Sequence, residues 1–373
     1  MNLMKPRQKA ATNAYRARTG TRKGSLAAFA LAMLLLLSLL TGCAQPQPEN
    51  GPDAEGLYLY EHSFFAMDTY IGYRVWGTSE EEAKAFGSKV EEAFQRIEGI
   101  TNRFDASSEL SRLNASAADL TPSSAVQPQG MQVSAELLEM LELAIDWNDR
   151  TGGALNVFLG GLSDLWNIGG EKPAVPSQAA IAAQLQTVAK GRIALQADRV
   201  ILSPAGIVLD LGAVAKGYGA DTAARALREA GCKRALIDAG GTVVAIGTKT
   251  GGQPWSIGLQ DPKDLNKLAG VVKVADKALV TSGDYQRYFE QGSVRYHHIL
   301  DPSTGFPAQG LHAVTVLTDS AALGDILSTA LFVLGPEKGY ELACQLSEQG
   351  SAEVLFTLND YTQKATPGWP KSK

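Results

Sequence analysis

Cysteine is scarce, with three in 373 residues, and that scarcity excludes a small disulfide-built scaffold. Cys43 lies in a leader segment, and the other two, Cys232 and Cys344, stand 112 positions apart with no Cys or His neighbour at metal-ligand spacing. A disulfide between them does not follow from sequence. Phosphate-binding signatures are absent too, since no GxxxxGK[ST] and no GxGxxG occurs. No repeat of fixed period is present, which excludes solenoids and propellers. Outside the leader the chain has little positive charge. All seven basic residues of the first 42 positions precede Leu26, and the remainder holds 27 basic against 39 acidic residues. That balance excludes a polybasic nucleic-acid binder, and 45% hydrophobic content excludes a disordered chain.

The leader comes first. Lys5, Arg7, Lys9, Arg16, Arg18, Arg22 and Lys23 precede the apolar run Leu26 to Leu40, which is short for a membrane-spanning helix. Leu40-Thr41-Gly42-Cys43 follows in the order of a lipobox, in which the cysteine is lipidated and becomes the mature N-terminus. An ordinary secretory signal that happens to contain Cys43 is the competing reading. The expected organisation is a signal peptide over 1–42, a flexible tether over 43–56 rich in Pro, Gln and acidic residues, and one large domain over 57–373. The expected location is extracytoplasmic, on a bacterial membrane through the lipid.

Helices and strands mix without strict alternation, which favours α+β over a doubly wound sheet. Ser79 with Glu82 forms a capping box ahead of Phe86, Val90, Phe94 and Ile97, predicting a helix that ends near Gly99. Ser134 caps a second, closed by Gly152-Gly153. The stretch between them, Ala115 to Pro128, reads as an irregular loop. Strands are predicted at 207–211, 235–237, 243–246, 255–259, 271–274 and 313–317.

Four clusters carry chemistry. Leu209 to Asp221 runs from an apolar stretch through small residues into a helix and contains Lys216. Such a junction suits a phosphate; a tight turn with a solvated lysine is the plainer alternative. Ile237-Asp238-Ala239-Gly240-Gly241-Thr242 is either a turn or a close approach to a ligand. Thr281 to Phe289 with Arg295 to Pro307 holds His297 and His298, half of the chain's four histidines. One of them beside a carboxylate-bearing loop suits general-base work, whereas two strand histidines facing opposite sides need no chemistry. Asp325 and Thr329 stand at i and i+4 in an apolar helix stopped by Gly335, a hard-oxygen pair suited to Mg²⁺. The alternative has Thr329 bonded back to the carbonyl of residue 325 and Asp325 in solvent.

Together these clusters resemble the FAD:protein FMN transferase family, the ApbE-like flavin transferases. The likeness recurs in order from Phe65-Ala66-Met67-Asp68-Thr69 through Asn102-Arg103-Phe104-Asp105, Ser108 to Asn114, Asp210 to Asp221, Ser282-Gly283-Asp284-Tyr285 and His298-Ile299-Leu300-Asp301-Pro302 to Gly335. The resemblance implies a single bilobed α+β unit, with mixed sheets and packed helices, that binds FAD in a cleft. With Mg²⁺ it moves the FMN half onto a threonine or serine of an exported or membrane-bound flavoprotein subunit and releases AMP. Carried over by position, Met67, Phe104, the turn Ala154-Leu155-Asn156, Asp210, Lys216 and Ile299 contact FAD. The carbonyl of Ala213 with Asp325 and Thr329 holds Mg²⁺, Ser328 lies near the metal, and His298 is the base. Two positions depart from the pattern: Asn156 stands where aspartate is common, and Phe158 where a small hydroxyl residue is usual.

Two other functions remain open at this point: an FAD pyrophosphatase with the same metal site that passes FMN to water, and a lipid-anchored protein that binds FAD without chemistry. A base beside a metal pair argues against the last, because binding alone requires neither.

Overall fold

The computed structural model describes residues 51–118 and 130–370. Cys43 and the leader lie outside them, as does most of the loop expected up to Pro128. Residues from Pro52 onward form one compact unit. In chain order it comprises β1 (Tyr58–Ala66), β2 (Thr69–Gly77), α1 (Glu80–Thr101), α2 (Glu109–Ala118), β3 (Met131–Gln132), α3 (Ala135–Arg150), α4 (Gly160–Trp166) and α5 (Gln178–Lys190). Then come β4 (Arg192–Gln196), β5 (Arg199–Ser203), α6 (Ala215–Glu229), β6 (Ala235–Ala239), β7 (Thr242–Ile246), β8 (Trp255–Asp261) and β9 (Asp264–Val274). The chain closes with β10 (Ala278–Gly283), β11 (Tyr288–Gln291), β12 (Val294–His297), β13 (Leu311–Thr318), α7 (Ala321–Glu348), β14 (Ala352–Leu358) and β15 (Gln363–Ala365). The fold is α+β, as expected.

An eight-stranded sheet in the order β1-β2-β6-β7-β10-β13-β14-β15 forms the middle layer. Alternation sends successive side chains to opposite faces. Ile71, Tyr73 and Val75 of β2 meet Phe86, Val90 and Phe94 of α1 and Ala220, Ala223 and Leu227 of α6 on one face. On the other, Trp76, Leu236 and Leu317 pack under Trp255, Ile257 and Leu259 of the β8–β9 hairpin. Every ladder among the described strands is antiparallel, so the sheets are not mixed in direction. Tight hairpins at Met67-Asp68 and Gly240-Gly241 make two of the reversals.

Both serines cap their helices, Ser79 Oγ accepting the Glu82 amide at 3.2 Å and Ser134 Oγ the Leu137 amide at 3.2 Å, while the Glu82 carboxylate reaches back to Thr78 and not to the Ser79 amide of a capping box. Other expectations need correction. No strand covers 207–211, because side chains and a 3₁₀ turn claim its backbone. The Asn114 amide brackets Leu209 on both sides at 2.8 and 3.0 Å, while Asp210 N–H reaches Val157 O at 2.8 Å. Residues 115–118 complete α2 instead of opening a loop. The last helix does not stop at Gly335 but breaks there (φ 79°, ψ −175°) ahead of Pro336 and resumes to Glu348.

The end of the expected tether is fixed. Arg234, 6% exposed, donates to Asp53 Oδ2 at 2.7 Å and also pairs with Glu55, whose other oxygen accepts the Gly251 amide at 2.7 Å. A chain begun at Leu57 takes both carboxylates away and leaves the guanidinium with the Thr248 carbonyl at 3.0 Å and the Thr250 hydroxyl at 3.2 Å. Its unfolding midpoint in urea should fall against that of a chain begun at Gly51. Equal midpoints would show that the two carboxylates contribute nothing.

Cys232 and Cys344 are both free thiols. Among the described residues no helix is long and apolar enough to cross a membrane.

Candidate active site

Helices α6 and α7 meet where they carry the chemistry. A Cβ on Gly217 would lie 2.2 Å from the carbonyl oxygen of Ala321, so only glycine permits this approach. Gly217→Ala should cost about 1–3 kcal/mol, since the clash is with backbone; an unchanged urea midpoint would mean that the helices move apart freely.

The approach delivers the Gly217 amide to Asp325. Its N–H donates to Oδ2 at 2.6 Å instead of to the Ala213 carbonyl four residues back, while Thr242 Oγ1 donates to Oδ1 at 2.7 Å. Asp325 is 4% exposed, which rules out the solvated alternative. Burial pushes its carboxyl above the ordinary carboxylate range, against Lys216, whose Nζ lies 3.8 Å from Oδ2, and the two hydrogen bonds. Thr329 does not bond back along the helix; Ser328 does, its Oγ reaching the Asp325 carbonyl at 3.1 Å. Thr329 Oγ1 faces Ser282 Oγ at 3.4 Å, and Ser282 also meets Ser328 Oγ at 2.8 Å.

Among the described residues, no three His, Cys, Asp or Glu side chains gather at metal-binding distance. Any cation site here is therefore built from at most two such side chains with neutral oxygens, and Asp325 is the carboxylate that faces Thr242 and the Gly217 amide. That set fits Mg²⁺, which takes few protein ligands and keeps places for water or phosphate. The Ala213 carbonyl, passed over by the Gly217 amide, suits such a role.

Asp210 holds the neighbouring turn: its Oδ1 accepts the Gly212 amide at 2.8 Å and its Oδ2 meets Arg103 Nε at 3.2 Å. Arg103 also lies 4.1 Å from the centre of the Phe104 ring, which is 79% exposed. Met67 and Asp68 both have positive φ, 52° and 59°, and form the two-residue turn between β1 and β2. The Met67 amide donates to Glu98 Oε1 at 2.9 Å, and Asp68 pairs with Arg287 at 2.9 Å. Ala154 is half-buried. Asn156 Oδ1 accepts the Phe158 amide at 2.9 Å, capping a 3₁₀ turn, and Phe158 fills the space left by Gly191. Leu155 and Ile299 are 1% and 4% exposed, and both belong to the hydrophobic core.

The two histidines divide. His297 is buried; the Ile299 amide donates to its Nδ1, so its Nε2–H donates to the Ala308 carbonyl at 2.9 Å, and the ring is a neutral core group. Half-buried His298 follows β12 directly. Its Nδ1 lies 3.2 Å from the Arg287 carbonyl, which can only accept. The proton therefore sits on Nδ1 and Nε2 keeps its lone pair. Burial first, then the neighbouring Arg287 and Lys216 charges, push its pKa down to about 3.

Comparison with known proteins decides the family. The model of the ApbE family matches residues 67–356. The chain belongs to the ApbE family. It is 35% identical over 329 residues to the FAD:protein FMN transferase of Treponema pallidum, covering 83% of this chain and 87% of that protein. It is 32% identical to one from Klebsiella pneumoniae, covering 88% and 92%. The crystal structure of the ApbE protein of Thermotoga maritima superposes with a TM-score of 0.73 at 30% identity, covering 83% of this chain and 97% of that one. In this ApbE-family chain Thr242, Ser282, Arg287 and Gly217 are the site residues that sequence reading left without a role. Their only signal was membership of the glycine-rich and Ser-Gly-Asp-Tyr clusters.

Proposed function

We propose that this protein transfers the FMN moiety of FAD to a serine or threonine hydroxyl of a target flavoprotein, with Mg²⁺ as cofactor and AMP as leaving group. The observation that carries this reading is the geometry at His298: its Nδ1 lies 3.2 Å from the Arg287 carbonyl, which fixes the ring and leaves Nε2 unprotonated. The relatives named FAD:protein FMN transferase support it.

A hydroxyl is a poor nucleophile near neutrality, so a positioned base is required. The hydroxyl oxygen bonds to the FMN-side phosphorus, and its proton passes to His298 Nε2. The bond from that phosphorus to the bridging oxygen breaks, and AMP leaves with the electron pair. Mg²⁺ supplies charge neutralisation of the pyrophosphate when bound. Asp325, Thr329 and the Ala213 carbonyl would hold it, and Lys216 adds positive charge where the leaving group develops negative charge. Phe104 and Met67 offer apolar surface for the flavin, and Asp210 holds the turn beside them. In this proposal the protein works outside the cytoplasmic membrane, anchored through lipidated Cys43, on exported or membrane-bound acceptor subunits.

Intact-mass spectrometry of an acceptor domain incubated with the protein, FAD and Mg²⁺ tests the reading. A mass gain of one FMN with AMP released is expected. Free FMN and AMP without an adduct would point to a pyrophosphatase or a wrong acceptor, and intact bound FAD to a binding protein.

A further inference from the structure

His298 hangs from a two-stranded hairpin, β11–β12, that belongs to a sheet of its own. Tyr288 pairs with His297 at its base, where His298 N–H donates to the Arg287 carbonyl at 3.1 Å. The hairpin's orientation therefore sets where Nε2 points. One face is held by aromatic packing: Phe289 and Tyr296 stack 5.2 Å apart, and both lie against Trp166 of α4. On the other face stands Arg295. Within the hairpin it meets Glu290 at 3.6 Å and the Tyr288 ring at 4.3 Å.

Its contact outside the hairpin is Asp284. That residue follows the end of β10, is 7% exposed, and is joined to β13 twice: its amide donates to the His312 carbonyl at 3.0 Å, and His312 Nδ1 donates to its Oδ2 at 2.8 Å. His312 is in turn stacked on Tyr361 at 4.4 Å. One carboxylate oxygen is thus fixed. The other, Oδ1, is the buried side-chain polar atom among the described residues that has no hydrogen-bond partner, and Arg295 Nη1 stands 3.6 Å from it. An orphaned buried carboxylate oxygen is costly, and a guanidinium beside it is the group best suited to relieve it.

We propose that Asp284, held by His312, is a positioning residue for His298: it seats Arg295 and so locks the free face of the β11–β12 hairpin against the main sheet. The inference rests on the flavin-transfer reading, in which His298 is the base. A misplacement of about 1 Å at the reacting group lowers turnover by as much as about a hundredfold.

The test combines turnover with hydrogen exchange, which needs no activity. Asp284→Asn keeps the shape and removes the charge. It should lower kcat for FMN transfer about tenfold to a hundredfold with KM for FAD unchanged, and speed amide exchange in residues 287–299 about tenfold. Arg295→Gln should do the same, and the double variant should be no worse than the poorer single one. Arg295→Lys, which keeps the charge, should restore most of both. Unchanged exchange in residues 287–299, additive losses, or a loss confined to KM would overturn the proposal. So would faster exchange with kcat unaltered. A wild-type protein that shows neither transfer nor AMP release would instead sink the flavin-transfer reading, and the positioning role with it.

Discussion

His298→Ala should lower FMN transfer about a thousandfold while leaving FAD affinity within a few-fold of wild type. The loss is confined to the chemical step because the ring's one fixed contact is to the Arg287 carbonyl, within its own hairpin, and not to the residues assigned to the pyrophosphate. A variant that still transfers at a tenth of the wild-type rate would remove His298 from the role of base. The pH dependence adds a second check. A histidine pushed down to about 3 is neutral in the folded protein across the range where an unfolded chain's histidines, near 6.5, take up protons. Between these values the unfolded state binds more protons, so stability falls as pH falls. His298→Ala should flatten that slope, measured as the urea midpoint between pH 4 and pH 7. Burial of His297, also held below its ordinary value, leaves a residual slope.

Asp325→Asn should lose metal-dependent turnover by at least about a hundredfold and keep the fold. Asparagine matches the two donors unevenly. Its oxygen can accept the Gly217 amide, and its NH₂ can donate to Thr242, whose hydroxyl then turns to accept. What disappears is the negative charge, the one carboxylate in the proposed cation set and the counter-charge of Lys216. Titration of Mg²⁺ by calorimetry, with FAD present, should show the affinity falling with turnover. Asp325→Ala is the poorer probe: it strands the buried Gly217 amide and costs about 1–3 kcal/mol of stability as well. Full turnover in the asparagine variant would place the metal elsewhere.

Local signals were legible where one residue's chemistry decides the outcome. Ser79 and Ser134 cap helices because their hydroxyls satisfy free amides close by in sequence. Strands were harder. Tyr58–Ala66 and Thr69–Gly77 have polar and aromatic residues on both faces, since one face packs on α1 and part of the other is open, and their alternation is blurred. Their turn, Met67-Asp68, is not the Asn-Gly pair that announces a hairpin. The stretch 207–211 misled in the opposite sense: it has strand composition, but its partners are the side chain of Asn114 and a turn. At the site, order along the chain pointed to Asp325, Thr329 and His298. It did not reveal that Thr242 and Gly217, 83 and 108 positions away, hold the carboxylate. Nor did it show that a backbone carbonyl at Arg287 selects the tautomer of His298.

The two free thiols bear on manufacture. Cys232 is buried, with its thiol directed at the Arg234 carbonyl at 3.3 Å, and burial pushes its pKa up, away from the reactive thiolate. A domain that closes no bond between Cys232 and Cys344 requires no oxidant to fold. Reduced and oxidised preparations should therefore melt alike.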